Sequence, residues 1–135
     1  EINPASQTVG KLSFIKDLEL RGIRIINSAV FHSGFLTGGT FFDYRKVDPQ
    51  DPEGHELFAW RGRFHALCAK HAVAPAAACV QFGMSVPGVV STALNTSKVA
   101  HVTQNIGLVR ARIPAAFWLA MKDEGLIDKA FPYLG

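Results

Sequence analysis

The chain has 135 residues, 48% of them hydrophobic and 19% charged, with a formal net charge of +3. That is enough for one domain with a real core and an ordinary globular balance. Arg61, Arg63, Arg110 and Arg112 are dispersed, and no Lys/Arg run interleaves with aromatics, so the mild basicity does not point to a nucleic-acid partner and none is expected. No apolar run reaches the roughly 18 residues a membrane span needs, and no secretory pattern is visible. The two cysteines, Cys68 and Cys79, stand in apolar helical surroundings. They are too few for a disulfide scaffold and read as reduced core thiols of a cytoplasmic protein. The chain starts at Glu1 in what reads as the approach to a helix, so the expectation is a processed or truncated remainder of something longer.

In chain order, residues 4–21 carry Val9, Leu12, Phe14, Ile15 and Leu18 at amphipathic helical spacing, closed by Gly22. Apolar and β-branched residues dominate 23–31, which reads as a buried strand. Small and polar residues follow at once: His32, Ser33, Gly34, Thr37, Gly38 and Gly39. A strand opening onto such a loop presents backbone N–H groups at the carboxyl end of a parallel sheet, where α/β proteins take phosphates and small ligands. Residues 38–54 form a long loop rich in Asp, Pro and Gly, a length that is usually functional or mobile.

The next helix spans 56–71, with Leu57, Trp60, Phe64, Leu67 and Cys68 on one face. Pro75 opens a short all-apolar helix through Met84, which Pro87 and Gly88 break. A second strand, 88–97, ends much as the first does. Ser97, or Thr96 beside it, suits the N-cap of a helix with Val99, Val102, Ile106 and Val109 inward. Pro114 begins a last helix through Phe117, Leu119, Ala120 and Met121, ended by Gly125, and 131–135 form a tail.

Strands alternating with helices argue for a parallel sheet covered by helices, within a single partial domain over 1–135. Two parallel strands alone leave both edges open and too little β core for stability, so the pair is expected to belong to a larger sheet.

Three side-chain clusters invite other readings and fail on geometry. His65, Cys68 and His71 resemble a metal run, but the two histidines lie six positions apart on a helix, about 120° off a common face. No fourth ligand is evident, and no metal is expected. Cys68 with His65 as nucleophile and base is disfavoured, since an apolar face raises a thiol pKa. Asp48, Asp51 and Glu53 lack the spacing of a calcium loop.

Three stretches together resemble the aldo/keto reductase family: residues 21–39 (Arg-Gly-Ile-Arg-Ile-Ile-Asn-Ser-Ala-Val-Phe-His-Ser-Gly-Phe-Leu-Thr-Gly-Gly), residues 89–105 (Val-Val-Ser-Thr-Ala-Leu-Asn-Thr-Ser-Lys-Val-Ala-His-Val-Thr-Gln-Asn), and Ile113-Pro-Ala-Ala-Phe-Trp118 with Gly125-Leu-Ile. The likeness is strongest to the branch that oxidises aldoses at C1, with pyridoxal-oxidising members nearby. It implies an eight-stranded parallel (β/α)8 TIM barrel, of which this chain would supply the last two strands, the helices around them and the C-terminal helix. It implies NAD or NADP as cofactor. Ala29, Phe31, Ser33 and Gly34 match the positions that cover the cofactor pyrophosphate, although an ordinary strand–loop–helix turn has the same composition. Asn95, Thr96, His101 and Asn105 match the eighth-strand motif that holds the adenosine end. Asn95 and His101 stand where basic residues of the family clamp a 2′-phosphate, with Gln104 for a common Glu, so the resemblance implies NAD, or relaxed choice, despite Lys98 nearby. Asn105 would meet the adenine edge; a solvent-facing helix Asn is the equal alternative. Tyr44 and Arg45, with Phe41, Phe42 and Asp43, fall where the family's substrate wall lies, and aromatics pinning a loop to the barrel are the alternative.

The family's catalytic Asp, Tyr, Lys and His have no counterpart here, and neither Tyr44 nor Tyr133 matches the acid/base position. No catalytic residue is therefore expected on this chain, which should be inert alone. The first reading is the cofactor-holding and substrate-wall part of an NAD(P)-dependent oxidoreductase for an aldose or small aldehyde, completed by the missing N-terminal half of the barrel. The second is a non-catalytic nucleotide-binding or structural half-barrel that assembles with a partner or as a homo-oligomer.

Overall fold

The computed structural model describes residues 2–5, 9–96, 98–132 and 134. Nine regular elements are described: α1 (Val9–Leu20), β1 (Ile25–Asn27), β2 (Phe41–Phe42), β3 (Arg45–Lys46), α2 (Pro52–Lys70), α3 (Pro75–Met84), β4 (Val89–Thr92), α4 (Val99–Arg110) and α5 (Ala115–Asp123). A 3-10 turn, Phe35–Thr37, follows β1.

The two long strands pair as expected. β1 and β4 are parallel, with Ile25 opposite Val89, Ile26 opposite Ser91 and Asn27 opposite Thr92. A parallel pair requires a crossover, and α2 and α3 supply it. Both strands are shorter than the apolar runs imply. The 23–31 run is strand only to Asn27, because Ala93 N–H closes on Asn27 C=O at 2.7 Å and the chain then turns through Ala29 at φ 57°. The 88–97 run is strand only over Val89–Thr92.

The other differences are local. The first helix begins at Val9; Pro4 and Ala5 stand in a turn, and residues 6–8 lie outside the described residues, as do Ser97, Tyr133 and the Val9 side chain. Of its apolar face, Ile15 is buried and Leu12 half-buried, whereas Phe14 is exposed. The long loop holds an antiparallel hairpin, β2–β3, turned by Asp43 and Tyr44 at φ 49° and 62°. Both central residues take the positive φ of a primed hairpin turn. α2 starts four residues earlier than the apolar pattern, at Pro52, because Asp51 is its N-cap and its carboxylate accepts from Gly54 N–H at 3.4 Å.

Neither Thr96 nor Ser97 is the N-cap of α4. Lys98 holds that position, and the Thr96 hydroxyl instead accepts from Lys98 N–H at 3.1 Å. The stripe expected to point inward is also not covered: Val99, Val102, Ile106 and Val109 are all exposed, Val99 at 89%. A helix buries its apolar stripe only where another element packs on it, and α4 meets the body of the protein through α3, whose Gln81 amide donates to Leu108 and Ala111 carbonyls.

The core lies between α2, α3, α5 and the 3-10 turn, around Phe35, Phe64, Phe82, Phe117, Met121 and Leu126. Phe82 stacks on Phe131 at 4.6 Å, which ties the C-terminal tail to α3. On the sheet, the side facing α3 is sealed by Asn27, only 2% exposed. Its Oδ1 accepts from Ile2 N–H at 2.9 Å, and its Nδ2 donates to Ile2 C=O at 2.8 Å and to Gly83 C=O at 3.2 Å. Gly83 permits that approach: a Cβ there would stand 2.6 Å from Asn27 Nδ2 and 3.0 Å from Ile2 O. The opposite side, with Ile26 and Val90, is exposed.

Candidate cofactor site at the strand ends

The segments that follow β1 and β4 meet. Ala29, Phe31, Ser33 and Gly34 from the first, and Ala93, Leu94 and Asn95 from the second, line one cavity of about 730 Å3. It stands at the carboxyl end of the parallel pair, where strand ends and loops leave polar backbone free to meet a ligand. The 2.7 Å bond from Ala93 to Asn27 fastens the two corners directly to each other.

The first corner is unusual in its backbone. Ala29, His32 and Ser33 all have positive φ, at 57°, 47° and 56°. Each costs about 1 kcal/mol or more for a residue with a Cβ, and such strain concentrates at ligand sites. His32 is held by stacking on Phe42, ring centroids 3.5 Å apart, and by Asn3 Nδ2 3.3 Å from its Nδ1. Ser33 Oγ accepts from Tyr44 N–H at 3.1 Å, so the hydroxyl's own proton remains to be donated. The hairpin is thus latched to the corner twice, and Phe41 and Tyr44 form the cavity's outer wall.

One sequence-based expectation changes at this point. The amides of residues 34–39 do not point at a ligand, because each donates within its own turn: Gly34 to Phe31, Phe35 to His32, Leu36 to Phe31, Thr37 and Gly39 to Gly34, and Gly38 to Phe35. Gly34 at φ 86° and Gly38 at φ 109° frame that turn. Among the described residues, the amides of Ala29, Phe31 and Ser33 have no acceptor. Those three amides and the Ser33 hydroxyl are among the donors available to an anion.

The remaining expected residues stand apart from the cavity. Thr96 and His101 bond each other, Oγ1 to Nδ1, at 3.2 Å on the exposed start of α4. Asn105 lies one turn further along, half-buried. Arg45 instead lines a smaller cavity of about 300 Å3 between the hairpin and the start of α2. Ser28, Val30 and Leu94 line the main cavity and were not singled out in the sequence, although they sit inside the same two corner segments.

The other clusters resolve into structural roles. His65 Nε2 donates to Leu36 C=O at 2.8 Å, Cys68 is buried in the core, and the His71 ring meets Phe117 edge-on at 5.9 Å, so the three diverge. Burial pushes the Cys68 thiol up to about 12 and raises that of Cys79 as well, which keeps both protonated and poor nucleophiles at neutral pH. Asp48 Oδ1 accepts from Gln50 N–H at 2.9 Å, and Asp51 caps α2. No helix among the described residues is long and apolar enough to cross a membrane.

The Aldo/keto reductase family matches the chain over residues 3–123. Pyridoxal 4-dehydrogenase of Microbacterium luteolum is 29% identical over 124 residues, covering 89% of this chain and 34% of that protein. D-threo-aldose 1-dehydrogenase of a Pseudomonas species is 33% identical over 104 residues, covering 76% of this chain and 31% of that protein. The chain thus spans about a third of the length of these curated relatives. It belongs to the aldo/keto reductase family, and its parallel strand pair with flanking helices is part of that family's β/α barrel.

Proposed function

We propose that this chain is the cofactor-binding and substrate-wall part of an NAD(P)-dependent oxidoreductase, one that oxidises an aldose at C1 or reduces a small aldehyde. The observation that carries this reading is the meeting of the two post-strand corners, 28–34 and 93–95, in one cavity. Its volume lies in the range of small-molecule and cofactor sites. The names of the two relatives, both dehydrogenases, support the same class.

The donor set fits a dinucleotide. The amides of Ala29, Phe31 and Ser33 and the Ser33 hydroxyl suit diphosphate oxygens, and Asn95 presents a neutral amide on the facing corner. NAD bound there supplies the hydride-accepting ring, and the chain's own residues bind and orient it. Thr96, His101 and Asn105 are assigned to the adenosine end, Tyr44 to the substrate wall, and Arg45 to the rim behind it. Catalytic proton transfer is assigned to residues outside this chain, in the remainder of the barrel. Those further strands would cover Ile26, Val90 and the open stripe of α4. A non-catalytic reading, in which a second copy covers the same surface, rests on that exposure alone. The two free, buried cysteines favour a reducing, cytoplasmic setting.

Neither Asn95 nor His101 is a Lys or Arg, so neither offers a 2′-phosphate the charge-assisted fork of a guanidinium or the fixed charge of an ammonium. Calorimetric titration is expected to give NAD an affinity equal to or higher than that of NADP. NADP binding tighter by about tenfold or more, some 1.4 kcal/mol, would reject the assignment of Asn95 and His101.

A further inference from the structure

We propose that α2 sets the shape of the cofactor corner from behind, with Arg61 and His65 as positioning residues for the dinucleotide. The inference rests on the reading of the cavity given above.

Arg61 and His65 are four positions apart and share a helix face. Arg61 Nη1 donates to Phe35 C=O at 3.2 Å and to Gly39 C=O at 2.5 Å, spanning the two ends of the 3-10 turn. His65 Nε2 donates to Leu36 C=O at 2.8 Å, between them. The guanidinium carbon lies 4.4 Å from the Phe35 ring centroid and 4.5 Å from that of Phe58, so its charge meets two carbonyls and two ring faces. Three carbonyls of one short turn are thereby fixed to a long, well-capped helix.

That attachment matters for the ligand because of where the turn's own amides go. Gly34 C=O accepts from both Thr37 and Gly39, and Phe31 C=O from both Gly34 and Leu36. The turn is therefore one rigid body with residues 31–34, the stretch that carries Phe31 and Ser33 into the cavity. Moving the Phe35 or Gly39 carbonyl moves those donors. A displacement of about 1 Å at a positioning group is enough to cost affinity severalfold or more. The sequence gives little sign of this role, since Arg61 and His65 flank the apolar positions of α2 as solvent-facing residues would.

The test compares Arg61→Met, Arg61→Lys, His65→Phe and His65→Gln in the full chain, reading NAD affinity and amide exchange together. Arg61→Met is expected to weaken NAD about tenfold, the loss of roughly one charged hydrogen bond, and to speed exchange at Leu36, Gly38 and Gly39 about tenfold. The α3 amides keep their protection. Arg61→Lys recovers affinity to within about threefold, since an ammonium reaches one carbonyl but lacks the fork. His65→Gln keeps a donor and behaves as the parent, whereas His65→Phe follows Arg61→Met in direction. NAD affinity of Arg61→Met within about twofold of the parent, or equal loosening of α3 and the turn, overturns the proposal. If the unsubstituted chain binds no NAD, the reading of the cavity fails first, and that outcome is separate from any effect of the variants.

Discussion

Replacing Phe82 by alanine is expected to lower the stability of the chain by about 3–5 kcal/mol, measured by chemical denaturation. Phe82 is fully buried in α3, stacked on Phe131 at 4.6 Å and tilted against Trp118 at 6.4 Å. It is the side chain through which α3, α5 and the C-terminal tail share one core. Alanine forfeits the transfer free energy of the ring and leaves a void that its two aromatic neighbours cannot collapse to fill. Phe82→Leu retains most of the buried area and should cost about 1–2 kcal/mol. Loss below about 1 kcal/mol for the alanine variant would mean that the tail does not dock on α3 as described.

The second large effect belongs to Asn27. Asn27→Leu preserves volume but removes three hydrogen bonds at once, leaving Ile2 N–H, Ile2 C=O and Gly83 C=O without partners in a site that is 2% exposed. Each orphaned buried group costs about 1–3 kcal/mol, so the expected loss is about 3–4 kcal/mol after some relaxation. Asn27→Asp separates hydrogen bonding from shape. The introduced carboxylate would face two carbonyl oxygens, which favours its neutral form and raises its folded pKa above the unfolded value near 4. A raised carboxyl pKa contributes stability below the unfolded pKa and loses it as pH rises through the folded one. The Asp variant should therefore be less destabilised at pH 4 than at pH 7. The opposite trend would show that the site is not lined as described.

These two residues mark what the sequence makes legible. The helical core is readable because Phe64, Leu67, Cys68 and the apolar run of α3 repeat at helical spacing, and Pro75 punctuates the start of α3. The family and its two post-strand corners are readable because those corners are local stretches of chain. Strand length is not, because β1 stops where its partner stops, and a partner is a tertiary fact. The hairpin is hidden because Asp43-Tyr44 takes a turn usually flagged by glycine. The exposed stripe of α4 shows the converse: Val99, Val102, Ile106 and Val109 have the period of a buried face, and periodicity cannot say whether a covering element is present. Asn27 reads as one polar break in a strand, and nothing local reveals that it joins Ile2 to Gly83. The same holds for Arg61, whose carbonyl partners lie more than twenty residues away.

Site-resolved titration with NAD, followed through the backbone amide resonances of the chain, bears most directly on the paired-corner cavity. The predicted result is a single saturating response shared by Ala29, Ser33 and Asn95, while the α5 amides stay fixed. Saturation of one corner without the other, or shifts centred on the smaller cavity around Arg45, would contradict it.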